Sequence, residues 1–126
     1  MTTILIVEDD PSQCLLYAKE LRAAGYDVVT AQDGREALDV VEKAKPDLVV
    51  MDVSMPGIDG IEAMSRMLAK DHKLPIILNT AYATYRESFR SWSADAYVVK
   101  SSDLTELKNT IKKVLESRNQ KPETRD

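Results

Sequence analysis

The stretch from Pro46 to Gly60 reads PDLVVMDVSMPGIDG. Its apolar part, Leu48 to Met51, is unbroken by any polar residue and stops at a carboxylate, Asp52. Such a run suits a strand buried on both faces, the situation of a strand inside a parallel sheet. Four other short runs, mostly apolar and without a clean polar alternation, stand beside it: Ile4 to Val7, Tyr26 to Thr30, Ile76 to Leu78 and Tyr97 to Val99. Most of their residues are β-branched or aromatic, which favours strands.

Helical spacing fills the intervals. Cys14, Leu15, Ala18 and Leu21 predict a first helix, with Asp10 as its N-cap, Pro11 at its first position and Gly25 as its stop. Ala37, Leu38 and Val41 predict a second, and Ile61, Met64 and Leu68 a third. Tyr85, Phe89 and Trp92 predict a short fourth. Leu104, Leu107, Ile111, Val114 and Leu115 predict a fifth, opened by Asp103 with Glu106 three residues on. Strand and helix thus alternate five times, the pattern of an α/β fold with a doubly wound parallel sheet. The polar end of the chain, from about Ser117 and containing Pro122, reads as a loose tail. The domain is placed at residues 1–118 and the tail at 119–126.

Composition narrows the function. A chain of 126 residues fits one domain. Its formal net charge of −4 weighs against direct nucleic-acid binding, which wants a basic surface. Cys14 is the sole cysteine, so no intrachain disulfide can form. The N-terminal MTTILIVEDD lacks the basic and long apolar regions of a signal peptide, and no run is long enough to span a membrane. A cytoplasmic protein is expected.

Most of the strands end in polar residues on their carboxyl side. The first runs into Glu8, Asp9 and Asp10, the third into Asp52, the fourth into Asn79 and Thr80, and the fifth into Lys100. Open parallel sheets bind ligands outside the carboxyl ends of their strands, so these groups converge if the strands are neighbours. Crowded carboxylates repel one another unless a cation is present, and an oxygen-only donor set suits Mg²⁺ shared with a phosphate. A carboxylate can be a nucleophile toward phosphorus, a lysine can pair with a phosphate oxygen, and a threonine hydroxyl can donate to another. The inventory points to metal-assisted phosphoryl transfer onto a carboxylate.

Four motifs, ILIVEDD, PDLVVMDVSMPGIDG, IILNTAY and DAYVVKSSDL, follow in this order. From about Thr3 to about Leu115 the chain resembles the receiver domains of two-component response regulators. That resemblance implies a flavodoxin-like fold with strand order 2-1-3-4-5; such a receiver is a standard example of this order. It also implies that Asp52 is the phosphoacceptor and that Thr80 and Lys100 assist. It gives Mg²⁺ to Asp9, Asp52 and the backbone carbonyl of Ser54, with Glu8 acting through water. Thr80 and Tyr97 would form the switch, and Pro56, Gly57 and Gly60 the loop after the phosphoacceptor. The phosphoryl donor would be a histidine kinase or a histidine phosphotransfer protein, and the domain would catalyse its own phosphorylation and dephosphorylation. The output would be a changed protein-binding face made by the predicted fourth helix, fifth strand and fifth helix, with no DNA-binding domain and no membrane. One position departs from the pattern. Ser101 follows Lys100 where the family usually has a cis proline. A cis bond costs roughly 2.5–4 kcal/mol without proline, against about 0.5–1 kcal/mol with it, so a trans bond is expected.

Plainer readings stand beside these. Asp10 reads as a helix cap rather than a metal ligand. Tyr97 fits either a core strand residue or the rotating aromatic. The Tyr85, Phe89, Trp92 stripe reads as packing. His72, in the charged run AKDHK, reads as exposed, and Cys14 as a small helix residue at the core edge. A phosphohydrolase with an aspartyl intermediate is disfavoured, because its second aspartate would fall at Ser54. A receiver-like module that binds partners without taking phosphate is the alternative.

Overall fold

The computed structural model describes residues 1–52, 60–81 and 94–120. Ser54, Pro56, Gly57 and the predicted fourth helix with Tyr85, Phe89 and Trp92 lie outside them. The strands are β1 (Thr3–Val7), β2 (Asp27–Ala31), β3 (Leu48–Met51), β4 (Ile76–Thr80) and β5 (Ala96–Val99). The helices are α1 (Pro11–Ala23), α2 (Gly34–Ala44), α3 (Gly60–Lys70) and α4 (Thr105–Gln120). All strand pairs are parallel, in the order β2-β1-β3-β4-β5 expected from the resemblance.

Because alternate side chains along a strand face opposite ways, the unbroken apolar runs feed two cores. On one face Leu5, Val7, Val49, Met51, Ile76 and Leu78 pack against Ala37 and Val41 of α2 and Met64 and Met67 of α3. On the other, Ile4, Ile6, Leu48, Val50, Ile77 and Val98 meet Tyr17, Ala18 and Leu21 of α1 and Leu107 and Ile111 of α4. Each such aliphatic side chain contributes about 1.5–3 kcal/mol on full burial.

The helix ends follow their sequence signals with two exceptions. Asp10 caps α1 by accepting the N–H groups of Ser12 at 2.9 Å and Gln13 at 3.3 Å, and Pro11 takes the first position. At the other end Gly25, at φ 103°, donates its N–H to Arg22 and lets Tyr26 reach back to Leu21. These two bonds are the Schellman stop. The first exception is Leu15. It was expected on the buried stripe but is 68% exposed, and Tyr17 takes the inward place. From Cys14, the i, i+3, i+4, i+7 series runs through Tyr17, Ala18 and Leu21, so Leu15 faces solvent. The second is the start of α4. Asp103 and Glu106 do not form a reciprocal box. The Asp103 carboxylate takes the Thr105 N–H at 2.9 Å, and the Asp103 N–H goes to the nearby Ser101 hydroxyl at 3.1 Å. That helix also runs on to Gln120, past Ser117, because no helix breaker precedes Pro122.

Candidate functional site

The sheet register assembles the site. Val7 pairs with Ala31 and Met51, so the next residues, Glu8 and Asp52, emerge side by side at the carboxyl end. Thr80 pairs with Val99, which places Lys100 just past the end of β4. The Lys100 N–H donates to the Thr80 carbonyl at 2.8 Å and fixes the start of the loop leading to α4. No cis peptide bond occurs among the described residues, so the Lys100–Ser101 bond is trans as expected.

Glu8 and Asp52 are buried, as are Asn79 and Thr80, while Asp9 is exposed. Glu8, Asp9 and Asp52 each offer a carboxylate oxygen, and all three oxygens lie within 4.8 Å of one another. Around Mg²⁺ at about 2.1 Å, neighbouring ligand oxygens sit about 3 Å apart and opposite ones about 4.2 Å apart, so a small closure would seat the ion. The donor set is all oxygen, as a hard cation requires. Asp10 is not part of this cluster, because its carboxylate is engaged at the helix cap.

Lys100 supplies the counter-charge. Its Nζ lies 2.8 Å from Asp52 Oδ2 and 2.8 Å from Glu8 Oε1. The other Glu8 oxygen accepts the Asp10 N–H at 3.2 Å. Burial would lower the Lys100 pKa, but the hydrogen bonds from Asp52 and Glu8 outweigh it and hold the ammonium above the ordinary lysine value. Burial pushes the Glu8 carboxyl up, opposed by Lys100 and the Asp10 N–H. Both carboxylates meet the ammonium at charge-assisted hydrogen-bond distance.

Two further buried side chains lie beside the pocket: Asn79, which the sequence places at the polar end of the fourth strand without a role of its own, and Tyr17, which the sequence reading does not name. The Tyr17 hydroxyl donates to Gln13 Oε1 at 3.4 Å, and Tyr17 and Asn79 line a small void together with Glu8 and Asp52. The only available signal was an asparagine inside an otherwise apolar strand. Tyr97 is buried in the core beside Leu78, its neighbour in register. His72 is exposed and Cys14 half-buried, as expected. A roomier cleft of about 610 Å³, lined by Val41, Lys45, Asp47, Lys70 and Leu74 among others, lies at the opposite end of the sheet, where β3 and β4 begin. It holds none of the pocket groups.

The arrangement matches a known family. The family model described as the response regulator receiver domain covers residues 4–112. The chain is a response regulator receiver domain. This receiver is 35% identical to sporulation initiation phosphotransferase F of Bacillus subtilis (strain 168), over 89% of this chain and 92% of that protein. It is 36% identical to the regulatory protein AtoC of Escherichia coli (strain K12), over 97% of this chain but only 27% of AtoC. Among solved structures it resembles the response regulator TrrA of Thermotoga maritima in complex with Mg(2+)-BeF. The TM-score is 0.85 and the identity 44%, over 90% of this chain and 98% of TrrA. TrrA in complex with the histidine kinase ThkA is equally similar, at TM-score 0.84 and 44% identity over 91% of this chain and 99% of TrrA. Among the described residues, no helix of this receiver is long and apolar enough to cross a membrane.

Proposed function

We propose that this receiver takes a phosphoryl group from a phosphohistidine of a histidine kinase or phosphotransfer protein onto Asp52, using Mg²⁺. The observation that carries the reading is the pocket itself: Asp52 buried, a lysine ammonium at 2.8 Å, and three carboxylate oxygens within 4.8 Å. An Asp52 oxygen attacks phosphorus while the phosphorus–nitrogen bond breaks, and the bonding pair leaves with the imidazole. Asp9, Asp52 and the Ser54 carbonyl would hold Mg²⁺, with Glu8 reaching it through water; the ion supplies positive charge for the phosphoryl oxygens. Lys100 pairs with one phosphoryl oxygen, and the Thr80 hydroxyl donates to another.

Once Asp52 carries the phosphoryl group, Thr80 moves toward it and Tyr97 follows into the vacated space. The face made by β5, α4 and the predicted helix with Tyr85, Phe89 and Trp92 then presents a different surface to a protein target. The domain would work in the cytoplasm and touch neither nucleic acid nor membrane. A protein donor is supported by Leu15 and Leu16, exposed apolar side chains on the first turns of α1 just beyond the acidic loop. The resemblance to a receiver solved with its histidine kinase supports the same donor class.

The test is labelling with acetyl phosphate and with a phosphorylated histidine kinase, each with and without Mg²⁺, read by intact mass. One phosphoryl group should appear only with Mg²⁺, and none on Asp52→Asn. A wild-type chain unlabelled by both donors would make the domain a binding module that takes no phosphate.

A further inference from the structure

We infer that Arg22 guards an open sheet edge: its bond to the Val28 carbonyl keeps β2 from pairing with β2 of a second copy of this chain. β2 is the outermost strand on its side of the sheet, with β1 as its neighbour. The Asp27 N–H donates to the Thr2 carbonyl, and the Ala31 carbonyl accepts the Glu8 N–H. Asp27, Val29 and Ala31 therefore direct their backbone groups to β1. Successive residues of a strand turn these groups to opposite edges, so those of Val28 and Thr30 point outward. Tyr26 and Gln32 continue the outward row on either side. An unpaired row of this kind is a template for another strand. Here most of it is closed. At one end the Leu21 carbonyl holds the Tyr26 N–H at 3.1 Å. At the other, Glu36 of α2 accepts the Gln32 N–H at 2.8 Å. Between them the Arg22 guanidinium, from the last turn of α1, donates to the Val28 carbonyl at 3.2 Å. Thr30 is exposed, and among the described residues nothing bonds its outward groups.

The partner excluded is a second copy because the strand is self-complementary. Turned antiparallel about Val29, Val28 of one copy faces Thr30 of the other, and the two residues would exchange both of their outward bonds. The two-fold relation repeats the exchange. Asp27 faces Ala31 and Tyr26 faces Gln32, so no like charges meet across the pairing. Half of the exchanged bonds need the Val28 carbonyl, the atom that Arg22 holds. The guanidinium also stands beside the edge, where the second strand would lie. Glu36 stops the ladder from extending to Gln32 in the same way, by taking the N–H that a partner carbonyl would accept.

The test is sedimentation velocity of the full chain from about 10 μM to about 1 mM, the range of a weak association, with amide exchange read by NMR on the same samples. Wild type should stay monomeric. Arg22→Ala should form dimers as concentration rises, and the Val28 and Thr30 N–H groups should then exchange about tenfold more slowly. Charge works against this result: losing one arginine takes the formal net charge from −4 to −5, which adds repulsion. Arg22→Met, which keeps the apolar stem and a high helix propensity, should behave as Arg22→Ala and carries the test if that variant folds poorly. Arg22→Lys keeps a donor and should remain monomeric. Adding Thr30→Pro to Arg22→Ala removes an outward N–H that β1 does not use, a change an edge strand accepts, and should return the chain to monomer. Monomeric Arg22→Ala and Arg22→Met overturn the inference, because Arg22 then only ties α1 to the sheet. Dimers that survive Thr30→Pro, or that leave Val28 and Thr30 exchange unchanged, overturn it as well, because the copies then meet elsewhere. No arm uses metal or phosphate, so this inference and the proposed function fail separately.

Discussion

Replacing Lys100 with methionine keeps the apolar stem and removes only the ammonium. The structure sets the size of the effect. Lys100 lies 2.8 Å from each of two carboxylates, and the three side chains are 14%, 3% and 8% exposed. At an effective dielectric of about 20, each contact is worth roughly 6 kcal/mol before desolvation is subtracted. Desolvation of the ions removes most of that gain. The variant, however, keeps Glu8 and Asp52 buried beside each other without their cation, and breaking a buried pair in this way costs about 3–5 kcal/mol. Against a typical net stability of about 5–15 kcal/mol this is a fifth or more. At roughly 4 °C per kcal/mol for a chain of this size, Tm falls by about 12–20 °C. Lys108→Met is the control. Its pair with Glu20 is as short, at 2.7 Å, but the side chains are 38% and 40% exposed. An exposed pair contributes only about 0–1 kcal/mol. Thermal and urea unfolding of both variants without metal measures the contrast. Mg²⁺ at a hundred times the wild-type Kd stabilises wild type by about 2.7 kcal/mol by linkage, and the same concentration should stabilise Lys100→Met more, because no ammonium competes for Asp52. Falling pH should also narrow the deficit, because burial already raises the Glu8 carboxyl and protonation removes the unpaired charge. A Lys100→Met loss no larger than that of Lys108→Met, or equal Mg²⁺ stabilisation of variant and wild type, would refute the buried-clamp reasoning.

Asp9→Asn and Asp52→Asn should each weaken Mg²⁺ binding, while Asp10→Asn, which still caps α1, should leave it near wild type in an NMR titration; equal loss in all three would put Asp10 in the metal site. Gly25→Ala should cost about 1–2 kcal/mol in urea unfolding, because φ 103° strains any side chain although space for a Cβ is open; a neutral result would mean the Schellman turn is not rigidly held. The Lys100 ammonium, raised by its two carboxylates, stabilises the fold fully below the ordinary lysine value and ceases to as pH rises through its higher folded value. Its ¹³Cε resonance should therefore titrate after those of exposed lysines, and a midpoint among theirs would contradict the pairing. In a beryllofluoride complex, Thr80 and Tyr97 should change rotamer together; an occupied site with both unmoved would exclude the coupled switch.

The parts of this receiver that were legible in its sequence are those encoded by local pattern. Unbroken runs such as Leu48 to Met51 marked buried strands, and their polar ends marked the pocket. Asp10 and Pro11 marked the start of α1 because a cap needs only neighbouring N–H groups. Strand order was different: nothing in the runs themselves says that β1 lies between β2 and β3, and that came from the resemblance to a family. Helix faces failed where two readings of one period competed, as with Leu15 and Tyr17, because tyrosine is amphipathic and its apolar ring takes the inward place while Leu15 turns to solvent. The Glu8–Lys100 contact was illegible for a related reason. It joins residues separated by 92 positions, by the difference of their numbers, and depends on side-chain reach across two intervening strands.

The division of the core into two faces bears on the order in which the chain can fold during synthesis. Among the described residues, the face covered by α2 and α3 draws its buried side chains from residues up to Leu78, adding Tyr97 from later in the chain with Ala94 and Val99 packed against it. The opposite face begins with Ile4 and Ile6 but is not closed until Leu104, Leu107 and Ile111 have been made. A nascent chain emerging amino end first therefore exposes the oldest apolar side chains on one side of the sheet until almost the last. Half-finished copies share that uncovered stripe, making it the natural place for a chaperone to hold or for two incomplete chains to stick. Shortening the protein to just before Leu104 would freeze it in that condition.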